Sequence, residues 1–186
     1  MKKHFYSYND VHNAAIDIVL KMYKDNWMPD YVVGITRGGL PLALRISNLL
    51  DCRMETLKVK LRDNKDEEQC ESNLWMAEDA FGYVPLEEQE TYKCRWDLSK
   101  RKNILVVDDI NDTGATFNWI MQDWQSGCLP DSHVWKDVWD HNVRFATLTE
   151  NLSSEFDKVR YYSHEVHKAE EDVWLIYPWE DVGTYG

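Results

Sequence analysis

Between Asn9 and Met22 the apolar residues Val11, Ala14, Ala15, Ile18, Val19 and Met22 recur at steps of three and four. That spacing lines one face of an α-helix, so the pattern predicts an amphipathic helix with Asn9 or Asp10 at its start. After Pro29 the pattern changes: Tyr31 to Ile35 (YVVGI) is a short β-branched run, followed by a glycine loop and an apolar stretch from Leu40 to Leu50. The predicted order is strand, loop, helix. Met54 to Val59 predicts a second strand, and Asn103 to Val107 (NILVV) one that is apolar throughout, as strands buried on both faces are. Phe117, Ile120, Met121 and Trp124 then fall at helical spacing between Thr116 and Gln125, which completes another strand-loop-helix unit. Arg144 to Thr149, Arg160 to Val166 and Val173 to Tyr177 predict further strands.

Strands alternating with helices place the chain in the α/β class, with a mostly parallel sheet, helices on both faces, and ligands beyond the strand C-terminal ends. Two stretches stand outside this alternation. Arg62 to Ser99 carries many acids and scattered aromatics without periodicity and reads as a partly mobile hood or flap covering the site. Asp131 to Asn142 sets Trp135 and Trp139 four residues apart, which suits core or lid packing. With 186 residues, 44% of them hydrophobic, a single domain over residues 1–186 is expected.

A formal net charge of -12 opposes binding to nucleic acid, whose affinity rests on Lys and Arg neutralising phosphates. A small phosphorylated ligand stays compatible, since backbone amides, a helix N-terminus and a divalent cation can hold it. Cys52, Cys70, Cys94 and Cys128 lack the paired spacing of a zinc or dithiol site. The start, MKKHFYSYND, has no apolar core for a signal peptide, and no apolar run approaches the ~20 residues of a membrane span. A cytoplasmic protein without a membrane partner is the expectation.

The chemistry concentrates in Val106 to Thr116, VVDDINDTGAT, where an apolar strand runs into Asp108 and Asp109, a third acid at Asp112, and a small-residue turn entering a helix. Adjacent carboxylates repel unless hydroxyls or a cation compensate them, so a ribose diol and a bound Mg²⁺ are the expected partners. Thr113, Gly114, Ala115 and Thr116 supply amides and hydroxyls where the helix dipole is positive, a seat for a phosphate monoester. A turn rich in capping residues would account for any two of these features, but not for all of them in one register.

The segment resembles the signature for 5-phosphoribosyl-1-pyrophosphate (PRPP) in the type I phosphoribosyltransferase family. The resemblance implies that Asp108 and Asp109 hold the ribose hydroxyls, with Asp109 also near Mg²⁺, and that Thr113 to Thr116 hold the 5-phosphate. Asp112 resembles the acid that manages the imidazole-ring proton of a purine, the catalytic role. Gly34 to Pro41 (GITRGGLP) is similar to the family's pyrophosphate loop and closely resembles the SRGGL loop of bacterial xanthine-guanine enzymes; Thr36, Arg37, Gly38 and Gly39 would offer amides and Arg37 a guanidinium. Val173 to Glu180 (VWLIYPWE) is similar to the C-terminal end of the same enzymes. By that likeness Trp174 stacks on the base, the backbone near Leu175 reads an exocyclic group, and Glu180 faces a second metal, although Trp174 by its chemistry alone suits a core.

The resemblance covers Tyr31 to Val59 and Lys102 to Glu180. It implies the type I phosphoribosyltransferase fold with a hood insertion, a homo-oligomer (dimer or tetramer), and Mg²⁺-dependent transfer of phosphoribosyl from PRPP to a purine base, a 6-oxopurine, in nucleotide salvage. A departure concerns the lysine that purine enzymes of the family often carry after the fourth strand for the six-position oxygen. Here the strand reads FATLTENLSS, with Thr149 or Glu150 nearest that position. A PRPP-sensing regulator of the same fold would share the phosphate loop; the acidic composition and the Trp174 region favour the enzyme.

Overall fold

The computed structural model describes residues 1–61, 69–92 and 95–180. Its chain order is β1 (Lys2–Phe5), α1 (Tyr8–Lys24), β2 (Tyr31–Thr36), α2 (Leu40–Leu50), β3 (Arg53–Lys58), α3 (Leu74–Phe81), α4 (Leu86–Tyr92), β4 (Ile104–Asn111), α5 (Ala115–Gly127), β5 (Val143–Asn151), β6 (Val159–Val166) and β7 (Val173–Ile176). Short 3₁₀ turns lie at Leu98–Lys100 and His133–Asp137.

The predicted start of α1 moves back by two or three residues, because Ser7 caps the helix and forms a capping box. Its Oγ accepts from the Asp10 amide at 3.1 Å, while Asp10 Oδ2 accepts from the Ser7 amide at 2.6 Å.

Five parallel strands form the central sheet in the order β3-β2-β4-β5-β6. In β4 the alternation of side chains divides the core in two. Ile104 and Val106 join α3, α5 and the Trp124, Trp135 and Trp139 side chains on one face; Leu105 and Val107 join α1 and α2 on the other. Both faces are therefore covered, which is why this strand is apolar throughout. From β2 the chain moves outward to β3 and then returns past β2 to β4. The reversal opens a crevice at the carboxyl ends of β2 and β4, where open α/β sheets bind ligands.

The Arg62–Ser99 stretch differs from the expectation of a loose cover. Residues 62–68 and 93–94 lie outside the described residues, but α3 belongs to the core, with Met76, Ala77, Ala80 and Phe81 fully buried. Its four buried positions fall at helical spacing within only eight residues, too short a run to stand out among the flanking acids. The chain start also adds β1, which pairs in parallel with β7 as a separate two-stranded sheet. No helix of the described residues is long and apolar enough to cross a membrane.

Candidate active site

The two loops singled out in the sequence meet at the crevice. A β-carbon placed on Gly38 would lie 2.2 Å from Asp109 Oδ2, and one on Gly39 would lie 2.4 Å from the Val107 carbonyl oxygen. Only residues without a side chain let the loop after β2 approach the end of β4 so closely. The Thr36–Arg37 peptide bond is cis, and the Arg37 side chain is exposed. The Gly39 N–H donates to the Ile35 carbonyl at 2.9 Å, so this amide serves the turn and the stretch offered to a ligand contracts from its C-terminal end.

At the end of β4, Asp108 Oδ1 accepts from the Asp109 amide at 2.9 Å, and Asp109 Oδ1 accepts from the Ile110 amide at 2.8 Å. These local bonds orient each carboxylate along the strand end, and both side chains remain partly open. Next, Asn111 turns inward: it is 2% exposed, and its Nδ2 donates to Glu150 Oε1 and to the Phe156 carbonyl, both at 2.9 Å. Ser154 Oγ donates to Asn111 Oδ1 at 3.0 Å. This buried cluster supports the turn above it. Gly114 there has φ +89°, and a β-carbon on it would lie 2.6 Å from the Phe156 amide nitrogen. The helix α5 begins from Gly114, which has no side chain to cap it; the Ala115 N–H donates to Thr113 Oγ1 at 3.3 Å, and the later N–H groups of the first turn are left to an external acceptor.

Asp112 is more constrained than its motif suggests. Its Oδ2 accepts from Lys168 Nζ at 3.0 Å, and Asn151 Nδ2 donates to its carbonyl at 2.8 Å and to Oδ1 at 3.3 Å. Thus β5 and the β6–β7 connection both hold the acid in place.

The C-terminal segment is anchored over the same strand end. The Tyr177 hydroxyl donates to Thr149 Oγ1 at 3.1 Å, which donates to the Tyr6 hydroxyl at 3.0 Å. The Tyr6 and Tyr177 rings stack 5.1 Å apart, and Trp179 stacks on Tyr177, also at 5.1 Å. Burial, followed by the charge of nearby Asp109, pushes the Tyr177 hydroxyl well above the ordinary phenol range. Tyr177 is therefore a protonated donor close to the acids. Trp174, by contrast, is 53% exposed on β7, so it is not the core residue that its chemistry alone suggests. Leu175 is 8% exposed and packs with Tyr6, Tyr177 and α1. Glu180 folds back locally, its Oε2 accepting from the Tyr177 amide at 2.9 Å.

Glu150, one of the two residues nearest the expected lysine position, is 8% exposed and is engaged by Asn111. Burial pushes its carboxyl up to about 7, aided by the charge of Glu165, against the opposing effect of the Asn111 hydrogen bond. Tyr6, Asn111, Asn151, Lys168 and Tyr177 escaped the sequence reading. Asn111 and Tyr177 had a signal, each lying within a motif singled out there.

Asp109 presents a partly open carboxylate at the end of β4, an oxygen donor of the kind Mg²⁺ takes, on the side that is not packed against Gly38. No group of three or more His, Cys, Asp or Glu side chains with metal-binding geometry occurs among the described residues. A Mg²⁺ at a phosphate site is usually held by one or two carboxylates and by oxygens of its ligand.

The profile of a family described as "Phosphoribosyl transferase domain" matches residues 5–174. The chain is 28% identical over 157 residues to a xanthine-guanine phosphoribosyltransferase of Cereibacter sphaeroides, covering 84% of this chain and 72% of that one. It is 23% identical over 193 residues to a hypoxanthine-guanine phosphoribosyltransferase of Schizosaccharomyces pombe, covering 95% and 88%. A solved purine phosphoribosyltransferase from Pyrococcus horikoshii Ot3 is similar in fold, with a TM-score of 0.61 at 20% identity over 97% of this chain and 95% of that one.

Proposed function

Because the chain belongs to the phosphoribosyl transferase domain family and is a phosphoribosyltransferase, we propose that it transfers phosphoribosyl from PRPP to a 6-oxopurine with Mg²⁺, yielding a nucleoside monophosphate and pyrophosphate for nucleotide salvage. The observation that supports this reading most is the packing of Gly38 against Asp109, which brings the loop after β2, read here as the pyrophosphate loop, to the end of β4, read here as the ribose-phosphate loop. Both curated relatives are named for guanine, which supports a purine acceptor.

In the reaction the bond from ribose C1 to pyrophosphate breaks, and a bond from C1 to a purine ring nitrogen forms. As the ribose gains oxocarbenium character, the leaving group gains negative charge. Arg37 and the loop amides before Gly39 meet that charge, while Asp108 and Asp109 hold the ribose diol in place. The open first turn of α5, with Thr113 and Thr116, holds the 5-phosphate and fixes C1 relative to the base. Asp112 accepts the proton that the imidazole ring gives up as the new bond forms. Trp174 stacks on the base, and the backbone near Leu175 reads an exocyclic group. Asp109, and Glu180 in a second position, would hold Mg²⁺, which would supply charge neutralisation to pyrophosphate.

The test is pyrophosphate release from PRPP and Mg²⁺ with xanthine, guanine, hypoxanthine, adenine, uracil and orotate supplied one at a time. Release with at least one 6-oxopurine and none with uracil or orotate is expected. Release with orotate alone, or with no base, overturns the purine reading.

A further inference from the structure

We propose that Lys168 selects the base, its ammonium donating to an oxygen at the purine six-position and disfavouring an amino group there. The inference rests on the functional reading above, in which Asp112 serves the imidazole ring.

Neither residue nearest the expected lysine position is free to recognise the base. Thr149 Oγ1 lies between the Tyr6 and Tyr177 hydroxyls at 3.0 and 3.1 Å. Glu150 is turned into the cluster beneath the phosphate turn, bonded to Asn111 at 2.9 Å. A cation reaches the site from elsewhere. Lys168 lies in the connection between β6 and β7, and its Nζ is 3.0 Å from Asp112 Oδ2.

Its backbone is held as well. The Lys168 amide donates to Asn151 Oδ1 at 3.1 Å, and the same Asn151 side chain donates to Asp112 at its other end. Asn151 is 5% exposed, so it forms a fixed bridge that sets the lysine and the acid at one distance. Stability does not account for this arrangement: the two side chains are 30% and 41% exposed, and open ion pairs of that kind contribute little.

The chemistry of the purine edge supplies a purpose. The imidazole N7 and the six-position group are neighbours on one edge, an oxygen acceptor in guanine and an amino donor in adenine. A carboxylate serving the imidazole ring therefore leaves the adjacent ammonium facing the six-position. An ammonium has three N–H donors and no acceptor. It complements an oxo group and opposes an amino group, leaving donors face to face in the second case. The pair then acts as one reader of the edge, Asp112 for the ring proton and Lys168 for the substituent.

The test is calorimetric titration of the wild type and the Lys168→Met variant with inosine monophosphate, adenosine monophosphate and Mg²⁺-PRPP, beside their melting temperatures. Methionine keeps an unbranched stem and removes the ammonium. The wild type should prefer inosine monophosphate by ~10- to 100-fold, the discrimination typical of one well-made base contact. The variant should lose most of that preference while Mg²⁺-PRPP affinity and melting temperature change little. An unchanged preference, or an equal loss for both monophosphates, overturns the proposal, whether or not the variant melts earlier. The base-dependent pyrophosphate assay tests the functional reading separately: no release with any purine, alongside a preference that Lys168→Met abolishes, would sink that reading and leave the recognition by Lys168 standing.

Discussion

Gly38 and Asp109 are packed so closely that a β-carbon on the glycine would lie 2.2 Å from the Asp109 Oδ2 atom. The contact joins the loop after β2 to the end of β4, and under the proposed function it links the pyrophosphate loop to the ribose site. Gly38→Ala should displace Asp109 and the loop after β2 together. We expect a stability loss of about 1–3 kcal/mol, the usual cost of an overpacked position. Mg²⁺-PRPP affinity should fall by ~10-fold or more, since about 1.4 kcal/mol corresponds to one decade. Urea denaturation and calorimetry with PRPP check both values; wild-type PRPP affinity in the variant would separate the two loops functionally.

Beyond the Ala115 N–H, which donates to Thr113 Oγ1, the first turn of α5 has no side-chain cap from Gly114. PRPP with Mg²⁺ at ~100 times its dissociation constant should add ~2.7 kcal/mol to the stability of the fold. Thr116→Asp places a carboxylate where the 5-phosphate would sit and should remove most of that gain. Thermal melts with and without ligand measure it. Equal ligand-induced shifts in the two proteins would move the phosphate seat elsewhere.

How much of this was legible from the sequence depends on how far apart the cooperating residues lie. Asp108 to Thr116 and Thr36 to Gly39 are contiguous, and each loop needs small or acidic residues in a fixed order, so each shows in a linear reading. The apolar runs of β2 and β4 are legible for the same reason: both faces of each strand are buried. By contrast, Lys168 and Asp112 are 56 positions apart, and an isolated lysine in a turn carries no pattern. β1 escaped because all four of its residues are exposed, and it is a strand only by pairing with β7. Trp174 illustrates the opposite error: its composition suggests burial, but its place on that small sheet leaves it open.

Glu150 provides a pH-dependent test of the support beneath the turn that leads into α5. Its folded-state value is about 7 against an ordinary 4.5, so the fold disfavours the ionised form. The stability associated with the protonated carboxyl is present below 4.5 and is lost as the pH rises through about 7. Glutamine cannot ionise and can still accept from Asn111. Glu150→Gln should therefore be more stable than the wild type at about pH 8, by on the order of 2–3 kcal/mol, with the gap closing toward about pH 4.5. Denaturation curves across that range decide it; a gap that is constant with pH, or that favours the wild type at high pH, would show that Glu150 is not held against ionisation.

Transfer to a purine is tested by following both products of one reaction. PRPP, Mg²⁺ and guanine or hypoxanthine are incubated with the protein; pyrophosphate is quantified, and the nucleotide is identified by mass-resolved chromatography. One nucleoside monophosphate is expected for each pyrophosphate released, at a rate that depends on the base. Pyrophosphate released without a matching nucleotide, or PRPP bound with neither product formed, would contradict transfer to a purine.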